Sequence, residues 1–124
     1  AKLEDKRIAI LGLAFKGNTD DIRYSPAKDV ISMLVAERAH VFAYDPQATQ
    51  NMQREFPEIT YCDSELEAVK NADALIIMTE WPQFKNLDLA AVKALMHSPI
   101  IVDARNMLCT RTMKELGFSF DTVG

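Results

Sequence analysis

The run Ala74-Leu75-Ile76-Ile77-Met78 is the most apolar stretch of the chain. It does not alternate with polar residues, so neither of its sides is suited to water. A short run of this kind, bounded by Asp73 and Thr79, reads as a central strand covered on both faces. Such strands belong to parallel sheets flanked by helices. Ile8-Ala9-Ile10-Leu11 has the same character. These runs alternate with helical patterns, which points to an α/β fold. The 124 residues, 48% hydrophobic and 26% charged, suit one globular domain over 1–124 with a core of its own.

The remaining elements follow in order. Residues 6–11 read as the first strand. Ser25 is suited to cap a helix and Pro26 to start it. Ala27, Val30, Ile31, Leu34 and Val35 recur at the spacing of one helical face, and this helix should end near Arg38. Residues 40–44 form the second strand. Asp45 then caps a short helix over 47–55, with Pro46 as its first residue. A third strand at 58–62 leads into a helix through Asn71, capped by Asp63 or Ser64, with Leu66, Val69 and Ala72 inward. The fourth strand spans 73–78. Asp88 caps a helix through Met96, and 99–102 is the fifth strand. A helix over 110–116 stops at Gly117, and the sixth strand spans 118–122. Right-handed crossovers give a Rossmann-like, doubly wound sheet of about six strands in the order 3-2-1-4-5-6.

The net charge of −4 argues against a nucleic-acid surface, so any anion site must be a local cluster of cations. No apolar run approaches the length of a membrane span. The charged lead over 1–6 lacks a signal peptide's apolar core. Cys62 and Cys109 are too few for a disulfide framework and read as two buried thiols in a reducing cytoplasm.

In a 3-2-1-4-5-6 sheet, ligands bind at the carboxyl ends of strands one and four. Three loops meet there: 12–25, 79–82 and 103–106. They carry Phe15, Lys16, Arg23, Glu80, Trp81 and Arg105. Cations and helix amides take phosphate, and an aromatic face packs on a base. The dinucleotide fingerprint Gly-x-Gly-x-x-Gly is absent, because only Gly12 and Gly17 follow the first strand. A P-loop is absent as well. Asp45 stands where an acidic residue often holds a ribose, but it also suits a cap before Pro46, and the missing glycines favour the cap. Asp20-Asp21 reads as loop turning and compensation of Lys16 and Arg23, not as a metal pair. His40 and His97 read as structural. No nucleophile has a base at readable spacing.

The blocks Gly12-Leu-Ala-Phe-Lys16, Thr19-Asp-Asp-Ile-Arg23 and Ser25-Pro26 resemble the start of the C-terminal, UDP-binding domain of the nucleotide-sugar dehydrogenases. Tyr44-Asp45-Pro46, Thr79-Glu80-Trp81, Leu87-Asp88 and Asp103-Ala104-Arg105-Asn106 continue the resemblance in the family's order. The Thr-Glu-Trp block favours the UDP-glucose branch over the UDP-N-acetylmannosamine and GDP-mannose branches. The resemblance implies a longer enzyme that oxidises UDP-glucose to UDP-glucuronate with two NAD. It implies an N-terminal NAD domain, a central dimerisation region and a catalytic cysteine, all outside this chain. It places Phe15, Lys16 and Arg105 on the UDP-sugar and assigns Arg23 to NAD across a domain cleft. Neither Cys62 nor Cys109 has the Gly-rich context of the family's nucleophile, so no catalytic residue is expected here.

Three positions depart from the family's pattern. Arg38 replaces a usual Gly, at a cost of about 1 kcal/mol if the position is left-handed. Ala104 replaces a Gly beside Arg105, where a methyl could shift the arginine. Tyr24 replaces a common Glu. Two other readings of the residues are a stand-alone nucleotide-binding module and an assembly domain with a vestigial crevice.

Overall fold

The computed structural model describes residues 3–105 and 108–122. The chain runs β1 (Arg7–Leu11), α1 (Pro26–Ala36), β2 (His40–Tyr44), α2 (Thr49–Glu55), β3 (Thr60–Tyr61) and α3 (Glu65–Val69). It continues with β4 (Ala74–Ile77), α4 (Pro82–Lys85), α5 (Leu89–Leu95), β5 (Ile100–Asp103), α6 (Thr110–Glu115) and β6 (Ser119–Thr122). The six strands form one sheet in the order β3-β2-β1-β4-β5-β6, and every pair is parallel. The order is the one expected from the apolar runs. β1 lies between β2 and β4, with Leu11 level with Tyr44 on one side and Ile77 on the other. The loops that follow β1, β2 and β4 therefore leave the sheet side by side.

Side chains alternate across the sheet and build two cores. Ala9, Leu11, Leu75, Ile77 and Ile101 pack with Val69 of α3, Val92 of α5 and Met113 of α6. Ile8, Ile10, Val41 and Ala43 pack with Ile31 and Leu34 of α1 and Met52 of α2. Each buried Leu or Ile contributes roughly 1.5–3 kcal/mol. The second face is covered less completely beyond β1. Ile76 and Val102 are half-buried there, and Ile100 is exposed. A groove of about 400 Å³ runs along this side, lined by Val30 and Met33 of α1, by Ile76, Met78 and Val102, and by Arg105 at one end.

Several boundaries differ from expectation for local reasons. Asp45 Oδ1 accepts from the amides of Gln47 and Ala48 at 2.8 Å each, which makes a turn instead of a cap. So α2 begins at Thr49 and not at Pro46. α3 ends at Val69, and Asn71 is left-handed at φ 61°. Leu66 faces solvent, contrary to the inward side expected for it. The extra helix α4 begins at Pro82, immediately after Trp81, and buries Phe84. Arg38 is left-handed at φ 64°, so the cost anticipated for that position applies.

Candidate functional site: a cleft at the carboxyl ends of β1, β4 and β5

The loop after β1 has two parts with opposite character. The first, Gly12 to Ala14, is buried. Gly12 has φ 100°, and a Cβ there would lie 2.5 Å from Thr79 Cβ. Only glycine permits both that backbone and that approach. Every amide from Gly12 to Phe15 is donated. Gly12 N–H bonds Tyr44 O at 2.9 Å, and Phe15 N–H bonds Asp21 O at 2.6 Å. Leu13 and Ala14 N–H both bond Asp45 Oδ2, at 2.7 and 3.0 Å. The Leu13 carbonyl accepts from Ser25 Oγ, and the Ala14 carbonyl accepts from Thr79 Oγ1, both at 2.8 Å. Ser25 Oγ also caps α1 by accepting from Ala27 N–H.

The second part turns outward at Phe15. Phe15 and Lys16 are exposed, and Lys16 makes no hydrogen bond or ion pair among the described residues. The Phe15 and Tyr24 rings meet edge-to-face with centroids 6.5 Å apart. Tyr24 is exposed and left-handed at φ 62°. Asp21 accepts from Arg23 Nε and Nη2, and that guanidinium holds the carboxyl below the usual carboxylate range. This is the charge compensation read from the sequence for Arg23; Lys16 receives none among the described residues. At Gly17 a side chain would collide with the Glu80 carbonyl, so the loop lies against the 79–81 segment.

Glu80 and Arg105 join the other two loops. Arg105 Nε donates to Glu80 Oε2 at 2.8 Å, and Nη2 makes an ion pair with the same oxygen. Asp103 turns the third loop by accepting from Arg105 N–H and Leu108 N–H. Ala104 does not have a positive φ, so this backbone does not need the glycine that the family's pattern carries. Its amide bonds Ile77 O at 2.9 Å, and its methyl lines the groove beside Arg105. Asn106 lies outside the described residues.

One expectation for the crevice needs correction, and the structural reading of Asp45 over a ribose contact is strengthened. Trp81 is buried and presents no ring face to a ligand; its indole donates to Asp45 Oδ2 at 3.0 Å. The Asp45 carboxylate is buried and receives five donors: two amides from the β1 loop, two from its own turn, and the indole. That fills the roughly four lone-pair positions of a carboxylate, so Asp45 has no capacity left for a ribose. A cavity of about 510 Å³ does open beyond β2 and β3, lined by Tyr44, Gln47, Gln50 and Asp63 among others, but no cation lines it. These residues do not fit a dinucleotide pyrophosphate.

The cysteines differ from each other. Cys62 is buried, and burial together with Glu67 pushes its thiol up to about 11. Cys109 is exposed, against the expectation of two buried thiols. It sits ahead of α6, where the amides of Thr112 and Arg111 lower its thiol. The described residues contain no group of three metal-ligating side chains. No described helix is long and apolar enough to cross a membrane.

Comparison with known proteins identifies the family. UDP-glucose 6-dehydrogenase of Rickettsia conorii is 42% identical over an alignment of 124 positions that covers 98% of this chain and 29% of the relative. The UDP-glucose 6-dehydrogenase AglM of Haloferax volcanii is 45% identical over 109 residues, 88% of this chain and 25% of the relative. The chain thus spans less than a third of the length of the curated relatives it matches. Among solved structures, a UDP-D-ManNAc dehydrogenase from Pyrococcus horikoshii superposes with a TM-score of 0.80 at 32% identity, covering 98% of this chain and 26% of that one. A UDP-glucose dehydrogenase from Pyrobaculum islandicum gives 0.77 at 28% identity, covering 99% and 26%. The family model for the UDP binding domain of the UDP-glucose/GDP-mannose dehydrogenases matches residues 9–110. With that match over most of its length, this chain belongs to the UDP-glucose/GDP-mannose dehydrogenase family, as its UDP binding domain.

Proposed function

We propose that this domain holds the UDP moiety of UDP-glucose within a longer enzyme, a UDP-glucose 6-dehydrogenase that produces UDP-glucuronate with two NAD. The observation that carries this reading is the loop after β1. Its buried base fixes the backbone, its next two residues, Phe15 and Lys16, are exposed, and Arg105 lies on another loop at the same end of the sheet. A diphosphate carries its charge on peripheral oxygens, and a Lys point charge and an Arg fork can neutralise them from two sides. Phe15 is exposed beside Lys16 on the same loop. Arg105 is held by Glu80 through Nε and Nη2 and would bind phosphate from that position.

Arg23 stands apart, exposed on the outer part of the loop and held by Asp21. That position suits a contact with NAD held by a different domain. The cavity at the β2 end is lined by no cation. Its part in the reaction is to bind and orient the nucleotide. The NAD domain, the dimerisation region and the catalytic cysteine belong to the remainder of the enzyme, in the cytoplasm.

Titration of the chain with UDP, followed by NMR into the millimolar range, tests the reading. Wild type should bind weakly, and Lys16→Ala should bind more weakly still. Equal affinity for the two removes Lys16 from the site. In the full enzyme, Arg23→Ala should raise KM for NAD more than KM for UDP-glucose; the reverse pattern reassigns Arg23. A second reading, UDP-N-acetylmannosamine as substrate, is favoured by the close superposition on the Pyrococcus enzyme. The two substrates share UDP, so steady-state rates of the full enzyme with each sugar nucleotide decide between them.

A further inference from the structure

We infer that Asp45 and Thr79, together with the Trp81 indole, are positioning residues that set the geometry of Phe15 and Lys16. The inference rests on the reading that Lys16 contacts UDP. Its observations are independent of that reading. The two residues ahead of Phe15 have all four of their backbone polar groups engaged: Asp45 accepts from both amides, and the Ser25 and Thr79 hydroxyls donate to the two carbonyls. Asp45 follows β2 and Thr79 follows β4, so the neighbouring strands on both sides hold the loop of β1. Trp81 closes the ring by donating to the same carboxylate oxygen that receives Leu13 and Ala14.

The ring is dry. Thr79, Asp45 and Trp81 are all nearly inaccessible, so water cannot replace a bond that is removed. A loop held this way has little freedom to lose when a ligand arrives, and small displacements of its tip weaken binding disproportionately. The acidic residue that could serve a ribose in other Rossmann-like sheets is here turned inward to hold a loop of its own domain.

Thr79→Val keeps the shape of the side chain and deletes one hydroxyl, so it is the principal test. UDP affinity of the 124-residue chain should fall about five- to tenfold by NMR titration. Thr79→Ser keeps the hydroxyl and should restore wild-type affinity. Trp81→Phe should weaken binding by a smaller factor, and amide exchange at Leu13 and Ala14 should accelerate in both weakened variants. Val92→Ala, in the core on the opposite face, provides a destabilised control that should bind as wild type does. Normal affinity in folded Thr79→Val and Trp81→Phe, with Lys16→Ala impaired, overturns the positioning role and leaves the UDP reading standing. So does a loss in Val92→Ala as large as that in Thr79→Val. Failure of wild type to bind UDP, or a Lys16→Ala variant that binds equally well, overturns the UDP reading and this inference with it.

Discussion

Asp45 and Asp73 sit at opposite ends of the sheet and do different work with the same carboxylate. Asp45 follows β2 at the carboxyl end, is 3% exposed and takes five donors from three loops. Asp73 precedes β4 at the amino end and takes two: the Arg7 amide at 2.9 Å and His97 Nδ1 at 2.8 Å. The Arg7 amide, then His97, holds its carboxyl below the usual range. Water reaches Asp73 more readily than it reaches Asp45. Removing a buried acceptor strands its donors, whereas removing an accessible one leaves them to solvent. The cleft end of the domain is therefore held by groups that cannot be replaced piecemeal. The other end is held by a set of individually modest bonds.

The largest expected effect breaks the first half of that contrast. Asp45→Ala should cost about 3 kcal/mol or more, since several buried donors lose their partner at once; chemical denaturation measures it. A loss under about 1 kcal/mol would mean that water reaches the ring. At the amino end, Arg38→Gly should stabilise the chain by about 1 kcal/mol by relieving the left-handed strain. Its ion pair with Glu4 is exposed on both sides and its loss should count for little. An unchanged or lower denaturation midpoint contradicts this.

Asp73→Asn should cost up to about 1 kcal/mol at neutral pH, and it also predicts a pH dependence. The folded pKa of Asp73 is depressed. Its contribution is complete above the unfolded pKa and is lost as pH falls through the lower folded value. Wild type should accordingly lose more thermal stability than Asp73→Asn between about pH 5 and pH 3. Parallel melting curves across that range would detach Asp73 from acid stability. The smallest effect belongs to Asp21→Asn. Its pair with Arg23 is solvent-exposed, so the melting temperature should not change measurably.

The sheet order was legible because β1 and β4 are continuous apolar runs, which only a doubly covered parallel sheet accommodates. Ser25-Pro26 marked the start of α1 for an equally local reason. The ring at the base of the cleft was not legible. Its bonds join residues 31 to 65 apart in sequence, and no periodicity encodes such a distance. Asp45 accordingly read as a cap, and Trp81 as an open aromatic face. α4 is one turn long, too short for a helical pattern to register. Leu66 followed the spacing of a buried face on a helix that stops before that face is complete. Phe15, Lys16 and Arg105 drew attention by residue type and by the loop each occupies. What the sequence withheld was how they are supported.

The contrast between the two thiols has a practical consequence. At neutral pH Cys62 is shielded and protonated, while Cys109 is open to reagents with a thiol shifted toward its reactive form. A maleimide or disulfide reagent should modify the native chain once, at Cys109, with Cys62 following only after unfolding. That position lies four residues beyond Arg105. An attached fluorophore would sit between β5 and α6, with no cysteine introduced or removed.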